Sequence, residues 1–306
     1  CEAKSVRSDR DLEPQTHRAQ CAPPPTCERG NAFPAKPRAI LVRMDIKTRN
    51  IATPAADAPA TPPASAPAPV VGRFAPSPSG RMHLGNVFSC LCSWLSARSQ
   101  GGSIVLRIED LDDRCKRPEL AAQLIDDLTW LGLHWDGEER QSARFDLYEA
   151  EFAKLIAAGR VYRCYETAQE LDLKRKVLLG RGLPPIYDRA ALSLSEADHA
   201  AKAAAGESPH WRFLLDRAAP IAWTDGIRGD QHFDPAKMSD PVVRRGDGSW
   251  LYLLPSVIDD IAMGITDVLR GEDHVSNTAA QAQMFAALGA APPRFAHEAL
   301  LVGTEG

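Results

Sequence analysis

Apolar residues at Leu84, Val87, Phe88, Leu91 and Leu95 recur three and four apart, which predicts a helix with one apolar face. Just ahead of it, Val70, Val71 and Phe74 predict a short buried strand, and Pro76, Pro78 and Gly80 break that strand into a loop. Residues 104–108 are apolar apart from Arg107, the pattern of a buried parallel strand. Helices are predicted over 118–131 and 146–158, the second stopped by Gly159. From 160 to 250 the character changes to short strands such as 211–215, a Lys- and Arg-bearing helix over 168–179, and many turns. Alternation of strand and helix returns near Tyr252, with a buried strand over 265–269 and a helix over 277–288 ended by Gly289. Val275, Ser276 and Asn277 supply cap-type chemistry at the start of that helix. The expected fold is α/β, a parallel nucleotide-binding sheet interrupted by an insertion. Expected boundaries are a tail at 1–69, a first half at 70–159, the insertion at 160–250 and a second half at 251–306.

The tail stands apart by composition. Residues 1–69 hold 12 of the 24 prolines and few large apolar side chains, and 52–69 is almost wholly Ala, Pro, Thr and Ser, so this segment is expected to be disordered. The rest has ordinary globular composition, and the 306 residues suffice for two compact domains. No run approaches the roughly 18–20 apolar residues of a membrane span. Seven scattered cysteines without paired spacing favour a reducing compartment. A formal net charge of −4 neither supports nor excludes a nucleic-acid partner, because local basic patches act independently of the total.

Candidate chemistry concentrates in residues 73–85, Arg-Phe-Ala-Pro-Ser-Pro-Ser-Gly-Arg-Met-His-Leu-Gly. A strand, a Pro/Gly loop and a helix start in this order present backbone N–H groups to a phosphate. His83 adds a donor beside the helix start, and Gly85 offers bare backbone for a nucleotide to lie against. Glu109 and Asp110 follow the 104–108 run, at the strand edge where open α/β sheets place their ligands.

At these residues the chain resembles the class I aminoacyl-tRNA synthetases, specifically glutamyl-tRNA synthetase, whose first signature reads Arg-Phe-Ala-Pro-Ser-Pro-Thr-Gly…His-Ile-Gly. Here Ser79 replaces the Thr, and Leu84 and Asn86 stand where the wider class often has Ile and His. The resemblance runs from about Val70 to the last residue. It implies a Rossmann-like catalytic domain split by an α+β connective module that meets the tRNA acceptor end. It also implies ATP, with Mg2+, and L-glutamate as substrates. The signature residues Ser79, His83, Gly85 and Asn86, together with Asp273, would face ATP, and His83 and Gly85 would carry the catalytic element. Arg73, Ala75 and Ser77 would line the glutamate site, Glu109 would take the α-amino group, and Tyr252, Ser256 and Arg270 would contact the substrate. Two carboxylates and one ammonium demand cations and an anion together, which Arg73, Arg270 and Glu109 supply from three separate strands.

Asp259 and Asp260 are expected to serve structural hydrogen bonds rather than a metal, since adjacent side chains diverge. No zinc is expected: Cys164 stands alone in the insertion, and Cys90 and Cys92 diverge on a helix. The second signature of the family, a Lys-Leu/Met-Ser-Lys loop, belongs just after a segment like 301–306, so the chain is expected to be an incomplete copy, weak by itself. A cytoplasmic monomer is expected, with no membrane contact. Alternatives are the paralogue that glutamylates a modified base in tRNA(Asp), a non-catalytic fragment binding ATP or an acceptor stem, and a generic nucleotidyltransferase.

Overall fold

In the computed structural model the described residues are 69–115 and 117–301. The expected tail, apart from Pro69, and residues 302–306 lie outside them. In chain order the elements are β1 (Val71–Phe74), α1 (Leu84–Ser99), β2 (Ser103–Ile108), α2 (Pro118–Trp130), β3 (Gly137–Arg140), α3 (Phe145–Ala157), β4 (Val161–Cys164), α4 (Ala168–Gly180) and α5 (Glu196–Ala204). There follow β5 (His210–Phe213), β6 (Ile221–Asp225), β7 (Gly229–Phe233), β8 (Val242–Arg244), α6 (Leu253–Ala262), β9 (Asp267–Gly271), α7 (Val275–Ala287) and β10 (Arg294–Glu298).

The sheet that carries the site is parallel. β1, β2 and β3 pair in that order, and β9 pairs with β10. The two pieces abut where the Thr266 N–H donates to the Val71 carbonyl at 2.9 Å and the Val71 N–H donates to Thr266 Oγ1 at 2.8 Å. Burial explains β2: Ile104, Leu106 and Ile108 are fully enclosed, so no polar face is needed and the run stays apolar. Between β3 and α6 lie an antiparallel sheet, β4–β5–β8, and the β6–β7 hairpin. Local chemistry sets the helix starts there. α4 opens on a reciprocal Thr167–Glu170 cap, and α5 on the same device from Ser195 and Asp198.

Two apolar clusters support the sheet. Phe74, Ala97, Ile104, Leu106, Leu124 and Leu128 fill the space around β1, β2, α1 and α2. Tyr148, Phe152, Phe213, Leu254, Met284 and Phe285 join α3, α6 and α7 to β5.

Three sequence expectations shift. The helix at α1 forms, but Leu84, Leu91 and Leu95 are 72%, 40% and 52% exposed, while Cys90, Ser93 and Ala97 face inward. Small side chains let α1 approach β1 and β9 closely, and Ser93 Oγ reaches the Leu269 carbonyl at 3.3 Å. The strand expected over 265–269 lies at β9, two residues later, so Arg270 sits inside the strand rather than beyond it. The helix α7 begins at Val275 on a 3-10 turn (Glu272–His274) already wound, so Ser276 and Asn277 cap nothing. Strands β3 and β10 and the β6–β7 hairpin were not expected; β3, Gly-Glu-Glu-Arg, is polar and carries no alternation.

The close approach of α1 depends on Gly102. A Cβ there would lie 2.4 Å from the Val70 carbonyl oxygen and 3.0 Å from that of Ala97. We expect Gly102→Ala to lower unfolding free energy by ~1–3 kcal/mol, the cost of overpacking rigid backbone, as read from urea denaturation.

Candidate functional site

The C-terminal ends of β1, β2, β9 and β10 open on a cavity of about 620 Å3. Ligands of open α/β sheets occupy this edge because the strand ends and helix starts leave backbone groups and side chains converging there. Arg73, Ala75, Ser77, Ser79, His83, Gly85, Asn86, Glu109, Tyr252, Arg270 and Asp273 all line it. Ser256 does not: it is fully buried on α6, behind the wall, and its hydroxyl accepts from Arg107 Nη2 at 3.1 Å. Its helical position turns it toward β2 rather than the open edge.

The signature loop arranges itself through its own side chains. His83 is the N-cap of α1, its Nδ1 accepting from the Asn86 N–H at 3.4 Å. A Cβ at Gly85 would meet the His83 ring at 3.1 Å, so this glycine makes room for the imidazole.

Behind the rim lies a buried charge network that sequence reasoning missed. Arg107 is fully buried and donates from Nη1 to Asp260 Oδ1 at 2.6 Å and from Nη2 to Glu109 Oε1 at 3.0 Å. Burial opposes its charge, but Asp260, Glu109 and Asp259 outweigh that and hold it firmly protonated. Burial also raises the Glu109 carboxyl above its ordinary range, against the pull of Arg107 and Arg73. Asp260 is shared: its Oδ1 lies 3.1 Å from Arg73 Nε, an ion pair off the hydrogen-bond direction. Among the described residues the two Arg73 amino groups have no hydrogen-bond partner. Asp259 turns the other way, accepting from Gln141 Nε2 (2.9 Å), Arg144 Nε (2.7 Å) and Tyr148 Oη (2.8 Å). The two aspartates thus part company, as structural groups. Asp110 accepts from the backbone and hydroxyl of Ser142, so of these two adjacent acids it is Glu109 that pairs with Arg107. One signal was legible in principle: a charge inside an apolar run, at Arg107 and again at Asp259 and Asp260, must find a partner.

Arg270 is handled differently. Its Nη1 donates to Tyr252 Oη at 2.9 Å, and its Nη2 to Thr278 Oγ1 at 2.6 Å and Gln281 Oε1 at 2.7 Å. Nε lies 3.4 Å from His297 Nε2, whose opposite nitrogen, Nδ1, is 2.5 Å from Asp225 Oδ2. Burial lowers the Arg270 pKa, and nearby Arg73 adds to the effect. Burial disfavours the Asp225 carboxylate, but bonds from His297 and three backbone N–H groups outweigh it and pull its pKa to about 2. No sequence pattern marked His297, Thr278 or Gln281. Glu298 also lines the cavity; it accepts from Ser89, and burial raises its pKa.

Cys164 does not stand alone. Glu166 and His210 bring their ligand atoms within 4.8 Å of its sulfur and of one another, the one such group of three among the described residues. They supply three donors where a structural zinc takes four. The Tyr187 hydroxyl donates to Glu166 at 2.7 Å in their midst.

The profile of the tRNA synthetases class I (E and Q), catalytic domain, matches residues 69–306. The chain belongs to this family. It is 72% identical over 236 residues to glutamate–tRNA ligase 1 of Novosphingobium aromaticivorans, covering 77% of this chain and 53% of that protein. It is 65% identical over 237 residues to glutamate–tRNA ligase 1 of Rhizorhabdus wittichii, covering 78% and 54%. The chain spans about half the length of the curated relatives it matches. A crystal structure of a glutamate tRNA ligase from Elizabethkingia meningosepticum in complex with its amino acid superposes with a TM-score of 0.72 at 31% identity, covering 78% of this chain and 51% of that one. The synthetase catalytic domain therefore has the mixed α/β, parallel-sheet fold expected. No helix among the described residues is long and apolar enough to cross a membrane.

His274, beside Arg270 on the cavity wall, has its pKa lowered to about 4, chiefly by burial and then by the Arg270 charge. The unfolded imidazole keeps its ordinary value near 6.5. Between those two pH values the unfolded chain binds more protons, so stability falls as pH falls. We expect the melting temperature to drop from pH 6.5 to pH 4 more steeply in the unaltered chain than in His274→Gln, as measured by scanning calorimetry.

Proposed function

We propose that this chain is the catalytic half of a glutamate–tRNA ligase, which activates L-glutamate with ATP and transfers the glutamyl group to the 3′ end of tRNA. The observation that carries the reading is the convergence of Arg73, Arg270 and Glu109 on one cavity. Two buried guanidiniums beside one acid match a substrate with two carboxylates and one ammonium.

In this reading the glutamate α-carboxylate attacks the α-phosphorus of ATP in line; the new C–O–P bond forms as the bond to pyrophosphate breaks. The chain supplies position and positive potential rather than a strong base. Arg73, with two open amino groups, and Arg270 hold carboxylate oxygens, while Glu109 accepts from the ammonium. Ala75, Ser77 and Tyr252 complete the amino-acid pocket, and Ser256 acts through Arg107. Ser79, His83, Gly85 and Asn86, with the N–H groups opening α1, receive the triphosphate, and Asp273 faces the nucleoside. Magnesium enters with ATP and needs no all-protein cage. Residues 160–250 are assigned to the acceptor stem, zinc is given no role, and the protein is taken to act as a cytoplasmic monomer.

We expect a nonhydrolysable glutamyl-adenylate analogue to bind the chain in isothermal titration. Arg270→Ala should weaken it by about 30-fold or more, the scale for removing one partner of a desolvated charge pair. Tight binding that survives this change would refute the assignment.

A further inference from the structure

Arg270 and Arg107 are both buried guanidiniums of one site, yet their surroundings differ in kind. Arg107 is enclosed by Asp260, Glu109 and Asp259. Arg270, 6% exposed, has no ion pair among the described residues; its four hydrogen-bond partners are a phenol, a hydroxyl, an amide oxygen and an imidazole nitrogen, and its guanidinium also lies over the Phe295 ring. A guanidinium carries five N–H donors. Four are taken by these contacts, and the fifth, on Nη1, belongs to the nitrogen whose other hydrogen Tyr252 engages. A buried charge without a counter-charge is costly and persists where a ligand supplies the missing anion.

The neutrality of the enclosure is itself built. The Asp225 carboxylate accepts from the His297 backbone N–H at 3.0 Å and engages Nδ1 through its other oxygen, which places the imidazole proton on Nδ1 and leaves Nε2 as an acceptor. Thr278 Oγ1 stands 2.9 Å from that nitrogen. Gln281, 1% exposed, offers its amide oxygen where a glutamate of the same shape would bring a full negative charge.

We infer that Gln281 and His297 are positioning residues that orient Arg270 without neutralising it, so that the pocket selects a carboxylate over the amide of the same shape. The inference rests on the reading that this cavity takes glutamate.

The test is isothermal titration of the full chain with L-glutamate and with L-glutamine, in the unaltered protein, Gln281→Glu and Gln281→Met. Gln281→Glu keeps the shape and adds a counter-charge; glutamate affinity should fall at least ~30-fold, with the preference for glutamate over glutamine collapsing and the melting temperature maintained. Gln281→Met removes the acceptor but leaves Arg270 charged, and should lose only a few-fold in glutamate affinity. Affinity for a nonhydrolysable ATP analogue should be the same in all three. If Gln281→Glu binds glutamate within about 3-fold of the unaltered chain, or if Gln281→Met loses more than Gln281→Glu, the amide is merely structural and the inference fails. If the unaltered chain prefers neither amino acid, the reading of the cavity as a glutamate site fails first.

Discussion

The ion pair between Arg107 on β2 and Asp260 on α6 is the interaction on which the site depends. Both side chains are withdrawn from water, so neither is stable without the other; removing one partner of such a pair costs about 3–5 kcal/mol. Its reach is wider than its own energy. Through a second donor Arg107 holds Glu109, and through a shared oxygen Asp260 holds Arg73, so one buried contact fixes an anion and a cation on the rim together. Ser256 accepts from the same guanidinium, and Asp259 carries the connection onward to α3 through Arg144 and Tyr148.

Against that compensated network the treatment of Arg270 is the opposite solution to the same problem. One arginine is neutralised and serves as scaffold. The other is propped by uncharged acceptors and keeps its field for whatever enters the cavity. Burial makes this effective, because a charge shielded from water acts strongly at short range. Arg73 lies between the extremes, with its Nε committed to Asp260 and its two amino groups open. A site built this way separates the work of holding shape from the work of attracting an anion.

The parts of this arrangement that were legible in the sequence are those with local signals. The run from Arg73 to Gly85 announces strand, loop and helix through prolines, glycines and apolar spacing, and Gly159 and Gly289 end their helices where expected, both with positive φ. What escaped is non-local. The inward face of α1 is set by how closely the helix must pass two strands, which favours Cys90, Ser93 and Ala97 over its leucines. Helical period alone cannot report that. The partners of Arg270 come from the residue just before α6, from α7 and from β10, and His297 is tuned by an aspartate 72 residues earlier in the chain. Cys164 looked solitary for the same reason, since His210 reaches it across paired antiparallel strands. Ser256 was drawn to the ligand by resemblance, whereas its place on α6 gives its hydroxyl to Arg107.

The span of the Arg107–Asp260 contact, 153 positions, bears on how the polypeptide can acquire its shape during synthesis. When β2 leaves the ribosome its arginine has only Glu109, two residues on, to answer it, and it lacks Asp260 until α6 has been made. A protein cut after α3 would keep Glu109 beside Arg107 but lose Asp259 and Asp260 from the enclosure of that buried cation. The pocket is complete only when β10 delivers His297 and Glu298 to the sheet.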